Sequence, residues 1–152
     1  MADNNISSVK STDELVKDLK NADWKKRARA VYVLKNRMDQ KVKNKLLELL
    51  GDENDNVWLS VVNALRNNKD KRLIDSLIDR LQNSASDEVR WHAAYYLGEL
   101  GSKKAVDFLC NALKDKSIEV RLNAAKALGK IGDKKAVDPL LAALDDKESI
   151  VR

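Results

Sequence analysis

The pair Val-Arg returns along this chain at a fixed interval: Val89-Arg90, Val120-Arg121 and Val151-Arg152 each lie 31 positions apart. The flanks return with it, since the twelve residues from Arg90 to Gly101 lie over the twelve from Arg121 to Gly132, sharing Ala-Ala, Leu-Gly and the final glycine. Self-similarity over a few tens of residues is the signature of stacked repeats, in which each unit buries its apolar face only against its neighbours. Arrays of this kind commonly bind along one extended face.

Composition says what the unit is made of. One proline and five glycines against 35% charged residues suit many solvated helices rather than sheets or a disordered chain, so the fold class is all-α. A chain of 152 residues buries roughly 70% of its unfolded surface, enough for one domain with no disulfide or metal. Cys110 is the only cysteine, and no apolar run reaches the 18 residues of a membrane span. The first residues lack the basic and apolar regions of a signal peptide, and the expected compartment is the cytoplasm.

Residues 1–11 are polar and aperiodic and are expected to form a mobile tail, leaving 12–152 as a single repeat domain. Two helix types then alternate. First helices are expected near 12–20, 39–50, 70–82, 103–114 and 134–145, and second helices near 24–37, 55–67, 87–100 and 118–131, the last two stopped by Gly101 and Gly132. The Val-Arg register runs back through Trp58 to Arg27, so the repeat degenerates toward the N-terminus.

The strings Asp133-Lys-Lys-Ala-Val-Asp-Pro-Leu-Leu141 and Val120 to Gly132 resemble HEAT-like repeats of the phycobilisome-lyase type. The resemblance is closest over residues 86–152 and looser over 12–85. It implies a right-handed α-solenoid of helix-turn-helix repeats whose second helices line a concave face, and it leaves activity open, because such repeats serve as scaffolds and in a few enzymes.

Helical spacing sorts each second helix into two faces. Val89, Ala93, Leu97 and Leu100, repeated as Val120, Ala124, Leu128 and Ile131, form the core stripe. Gly98 and Gly129 are expected to let neighbouring helices approach closely. The arginines are expected to form a stacked ladder with aspartates of the turns or first helices, such as Asp107 and Asp138, and Trp58, in the arginine register, to be packed. The opposite face varies from repeat to repeat. It supplies the candidate partner-binding residues Arg29, Tyr32, Asn63, Trp91, His92, Tyr95 and Lys126, among which the aromatics are the kind of anchor that carries binding energy.

Little here supports catalysis. His92 is the only histidine, Cys110 shares a register with Ile78 and Leu141 and reads as core, and no paired His-Glu motif or Gly-Lys-Ser/Thr loop is present, so neither a metal nor another cofactor is expected. The preferred reading is a non-enzymatic protein-interaction module or scaffold. The main alternative is nucleic-acid binding through residues 25–45, where nine Lys or Arg face one acid, Asp39, although the acidic middle of the chain interrupts a basic track. A bilin-lyase-like enzyme or a chaperone is the remaining alternative. No membrane partner is expected. Val151-Arg152 open a further copy, so the array is expected to continue or to stay uncapped, with Leu140, Leu141 and Leu144 uncovered and free for self-association.

Overall fold

The computed structural model describes residues 10–67 and 70–152, and most of the expected tail, residues 1–9, lies outside them. The described residues form nine α-helices and no strand, and the chain divides between Ala64 and Leu65 into two compact units.

In the first unit α1 spans Thr12–Asp18, α2 Trp24–Leu34, α3 Gln40–Glu48 and α4 Asp55–Leu65, the last residue of which already belongs to the second unit. Their starts are written in the sequence. Ser11 and Glu14 make a reciprocal capping box, the Glu14 N–H donating to Ser11 Oγ at 3.3 Å and the Ser11 N–H to Glu14 Oε2 at 2.7 Å. Asp23 and Asp39 cap α2 and α3 by accepting from the N–H groups of Lys25 and Val42. Lys10 is tied as well, its carbonyl accepting from Arg37 Nη1 at 2.9 Å. Leu15, Leu19, Val31, Leu34, Val42 and Leu46 fill the core, and Trp58 is fully buried with Val57, Val61 and Val62.

In the second unit α5 spans Lys71–Asn83, α6 Asp87–Glu99, α7 Val106–Ala112, α8 Ile118–Ile131 and α9 Val137–Ala143. A single 3₁₀ turn precedes α7 (Lys103–Ala105) and α9 (Lys134–Ala136), which shortens the first helices expected there. α6 packs on α5 and α8, and α7 on α8, so successive helix pairs stack in solenoid fashion within this unit. Gly101 and Gly132 end α6 and α8 at φ of 62° and 66°, the left-handed conformation that a side chain disfavours. Along α9 the stripe Val137, Leu141, Leu144 is exposed, joined by Ile150, while Leu140 is half-buried.

The arginine register is a latch. Arg90 donates from Nε and Nη2 to both oxygens of Asp115 at 2.9 and 3.0 Å, and from Nη1 to the carbonyls of Ser84 and Ala85. Arg121 repeats this on Asp146, Asp115 O and Lys116 O, and Arg27 on Asp52, Asn21 O and Ala22 O. Each carboxylate in turn accepts the N–H two residues on, from Asn54, Ser117 or Glu148. The guanidinium thus ties the turn before its own helix to the turn after the next one. This corrects the expected partners: Asp107 is exposed and faces Lys135 at 3.7 Å, and Asp138 lies on an open surface. The turn carboxylates meet the fork with both oxygens, the bidentate geometry that suits a guanidinium.

Burial alone would raise the Asp115 carboxyl, but the Arg90 guanidinium and the Ser117 N–H outweigh it and hold it below the usual carboxylate range. Hydrogen bonds from Arg121 and from the Glu148 N–H hold Asp146 low in the same way. A folded pKa below the unfolded value gives stability that is complete above the unfolded pKa and is lost as pH falls through the folded one. The urea midpoint is therefore expected to stay level above about pH 5 and to fall steeply below about pH 4. Asp115→Asn should make that acid fall shallower.

Candidate functional site

The sequence-selected residues fall on the second helices of both units. In the first unit Arg29 and Tyr32 share a face of α2, one turn apart, and Asn63 lies on α4; all three are exposed. Tyr32 is 65% exposed, with Lys35 Nζ 4.0 Å from its ring centroid, a cation–π contact that holds the ring out from the helix.

In the second unit Trp91, His92 and Tyr95 project from α6 and Lys126 from α8. Trp91 and His92 stack, with centroids 3.4 Å apart and planes at 25°, and both are half-buried. Tyr95 is 44% exposed and sits edge-on to Tyr96, centroids 5.1 Å apart. The His92 ring is held from below: Nδ1 lies 2.8 Å from the Glu88 carbonyl, which only accepts, so Nδ1 carries a proton and donates it there. Asn123, in the same register of α8, donates Nδ2 to the Glu119 carbonyl at 2.8 Å and keeps Oδ1. Ser60, in that register of α4, donates to the Asn56 carbonyl at 2.8 Å. Each of these side chains spends a donor on its own helix one turn back.

A hollow of about 130 Å³ opens between α6 and α8, lined by Tyr95, Gly98, Glu99, Asn123, Lys126, Ala127 and Lys130. Two of the candidates, Tyr95 and Lys126, therefore share one hollow. Gly98 lines it, and the missing side chain lets α8 lie close there, since a Cβ would stand 2.7 Å from Ala127 Cα. Gly129 plays no such part, for nothing lies within 4 Å of a Cβ placed on it, which corrects the expectation that both glycines allow close approach. Lys130 is bound to Glu99 at 2.6 Å. Gly98, Glu99, Asn123 and Lys130 were not among the candidates, though Asn123 shares the register of Arg29 and His92; the close approach at Gly98 was expected from the sequence, but the hollow beside it was not.

Part of the basic stretch 25–45 is engaged within the fold. Arg27 is locked to Asp52, Lys41 reaches Asp13 at 2.8 Å, Lys45 reaches Glu48 at 2.9 Å, and Arg37 donates to a backbone carbonyl. A larger hollow of about 480 Å³ lies among α7 and α9, lined by Cys110, Asp138, Pro139, Asp145 and Asp146 with their neighbours. Cys110 is thus half-buried at its edge rather than core, and burial followed by the nearby acids pushes its thiol up, which disfavours the nucleophilic thiolate. We place no chemistry in this hollow. Among the described residues no group of three or more His, Cys, Asp or Glu is placed to hold a metal ion, and no helix is long and apolar enough to cross a membrane.

Comparison with known proteins gives the fold a context. The family of HEAT repeats matches residues 12–87 and 74–152. No curated protein sequence is similar enough to be matched. Among solved structures, the complex of CpcE and CpcF of phycocyanin lyase from Nostoc sp. PCC7120 is similar over 94% of this chain, with a TM-score of 0.75 and 20% identity. This chain spans 61% of that one. An engineered protein (TM-score 0.63, 21% identity, 94% of this chain and 75% of the other) and a designed armadillo repeat protein (0.59, 21%, 93% and 77%) are also similar. At these identities the likeness speaks for the fold.

Proposed function

The chain belongs to the family of HEAT repeats, and we infer from this and from its surface that it is a non-enzymatic interaction module that captures a protein on the exposed face of its second helices. The observation that carries the reading is on α6. Trp91 and His92 stack on each other and Tyr95 stands beside them, 44% exposed, at positions where the neighbouring repeat has Leu122, Asn123 and Lys126. Folding does not call for aromatics there, because the core stripe of α6 is complete without them. Rigid aromatics on a surface offer large contact area at small entropic cost, which is the usual character of binding hot spots. The solved complex of CpcE and CpcF is one in which a similar fold engages another protein.

A nucleic-acid partner fits less well, since the acidic middle of the chain interrupts a basic track and part of the basic stretch is engaged within the fold. In quantitative pull-downs from source cells, Trp91→Ala/Tyr95→Ala is expected to lower partner recovery about tenfold or more, with helicity by circular dichroism unchanged. Nuclease treatment should leave recovery intact. Recovery that survives the double substitution, or that nuclease abolishes, would remove the reading.

A further inference from the structure

Resting on the reading of α6 and α8 as a partner face, we propose that the hollow between them seats a carboxylate side chain, an aspartate or glutamate carried on an extended segment of the protein partner.

The charge balance of the hollow points there. It is lined by two cations, Lys126 and Lys130, and one anion, Glu99. Glu99 is bound to Lys130 at 2.6 Å, and Lys126, exposed on the rim, has no ion pair among the described residues. The acid two helical turns before it, Glu119, is engaged by Ser117 Oγ at 2.8 Å. One positive charge is thus left on the lining of the cleft, where a carboxylate can meet it in a charge-assisted hydrogen bond. Tyr95, on the same lining, carries a hydroxyl that can serve as a second donor.

Size limits the occupant. A volume of about 130 Å³ holds roughly four waters, since water takes about 30 Å³ each in the liquid. That suits a short acidic side chain.

An acceptor on the lining of the hollow separates the two common anionic polymers. Asn123 keeps its Oδ1 as an acceptor once its Nδ2 has been spent on the Glu119 carbonyl. A phosphodiester brings further acceptors to it and no donor. An extended peptide brings an N–H at each residue, so an acidic side chain in the hollow can come with donors on either side.

The test is a ¹⁵N–¹H titration of the full chain with terminally blocked Leu-Glu-Leu and Leu-Gln-Leu peptides and with an oligothymidylate. The glutamate peptide is expected to shift Gly98, Ala127 and the Asn123 side-chain amide, and to bind at least about fivefold more tightly than the glutamine peptide. Lys126→Gln should erase that difference. Lys126→Glu should turn the preference toward a Leu-Lys-Leu peptide. Equal affinity for the two peptides, a preference that survives Lys126→Gln, no shift at Gly98 and Ala127 up to several millimolar peptide, or shifts there with the oligonucleotide alone would each overturn the carboxylate seat. If partner recovery falls in Trp91→Ala/Tyr95→Ala while Lys126 variants show no charge preference, the partner face stands and only this seat is lost.

Discussion

Gly98→Ala is expected to destabilise the protein by about 2 kcal/mol, whereas Gly129→Ala, at the same register one repeat later, is expected to stabilise it by up to about 1 kcal/mol. Both glycines sit in helices, where alanine is intrinsically favoured. The difference is what each faces. A Cβ on Gly98 would meet Ala127 Cα at 2.7 Å and Cβ at 2.8 Å, and since one of those atoms is backbone, α8 itself must move away. Overpacking of this sort costs about 1–3 kcal/mol, more than the propensity gain returns. A Cβ on Gly129 meets nothing within 4 Å and keeps the gain. Urea unfolding of the two variants reads this directly, and shifts of the same sign would contradict the close contact of α6 and α8. Because Gly98 also lines the hollow, its alanine variant should lose the glutamate peptide's preference even where it remains folded.

The larger loss is expected at the latch. Arg90 is only 5% exposed and satisfies three separate groups, so Arg90→Ala strands the Asp115 carboxylate and two turn carbonyls at once. Breaking a buried pair by removing one partner typically costs about 3–5 kcal/mol. Asp115 keeps some access to solvent, which places the expected cost near the lower end, about 3 kcal/mol. Asp115→Asn retains the Ser117 N–H bond through its remaining oxygen and should cost less, about 2 kcal/mol. In a double-mutant cycle the two changes should couple strongly, because both act on the same pair of hydrogen bonds. Additive losses would mean that the guanidinium draws its stability from the carbonyls of Ser84 and Ala85 instead.

Much of this was legible in the residues. The helix positions follow from the 31-residue register, and Gly101 and Gly132 stop their helices where a left-handed residue was expected. Trp58, in the arginine register, is buried as anticipated, and the residue 25 places after it is Asn83 rather than the aspartate found after Arg27, Arg90 and Arg121. That spacing was visible all along. It was passed over because no single helix or turn spans 25 residues, and only the stacking of one repeat on the next brings the two ends together. Gly98 and Gly129 mark a harder limit. They are equivalent in sequence, and what separates them is whether another helix lies on top.

The binding face was legible in part. Spacing along α6 placed Trp91, His92 and Tyr95 on one side, but the stacking of Trp91 on His92 and the bond from the His92 ring to the Glu88 carbonyl are visible only in the structure. Lys126 was selected by its register alone. What the structure adds is the neighbouring Lys130–Glu99 pair, which leaves Lys126 without a counter-charge among the described residues in a cleft that Gly98 lines.

The central claim, that the exposed face of the second helices receives a protein, is tested most directly by site-specific photo-crosslinking in source cells. A benzophenone side chain placed at Tyr95 is compared with one at Asn111, which is exposed on α7 beside the larger hollow. The account predicts a discrete, nuclease-resistant protein adduct from position 95 and none from position 111. Adducts from position 111 alone, or adducts from position 95 that nuclease removes, would contradict it.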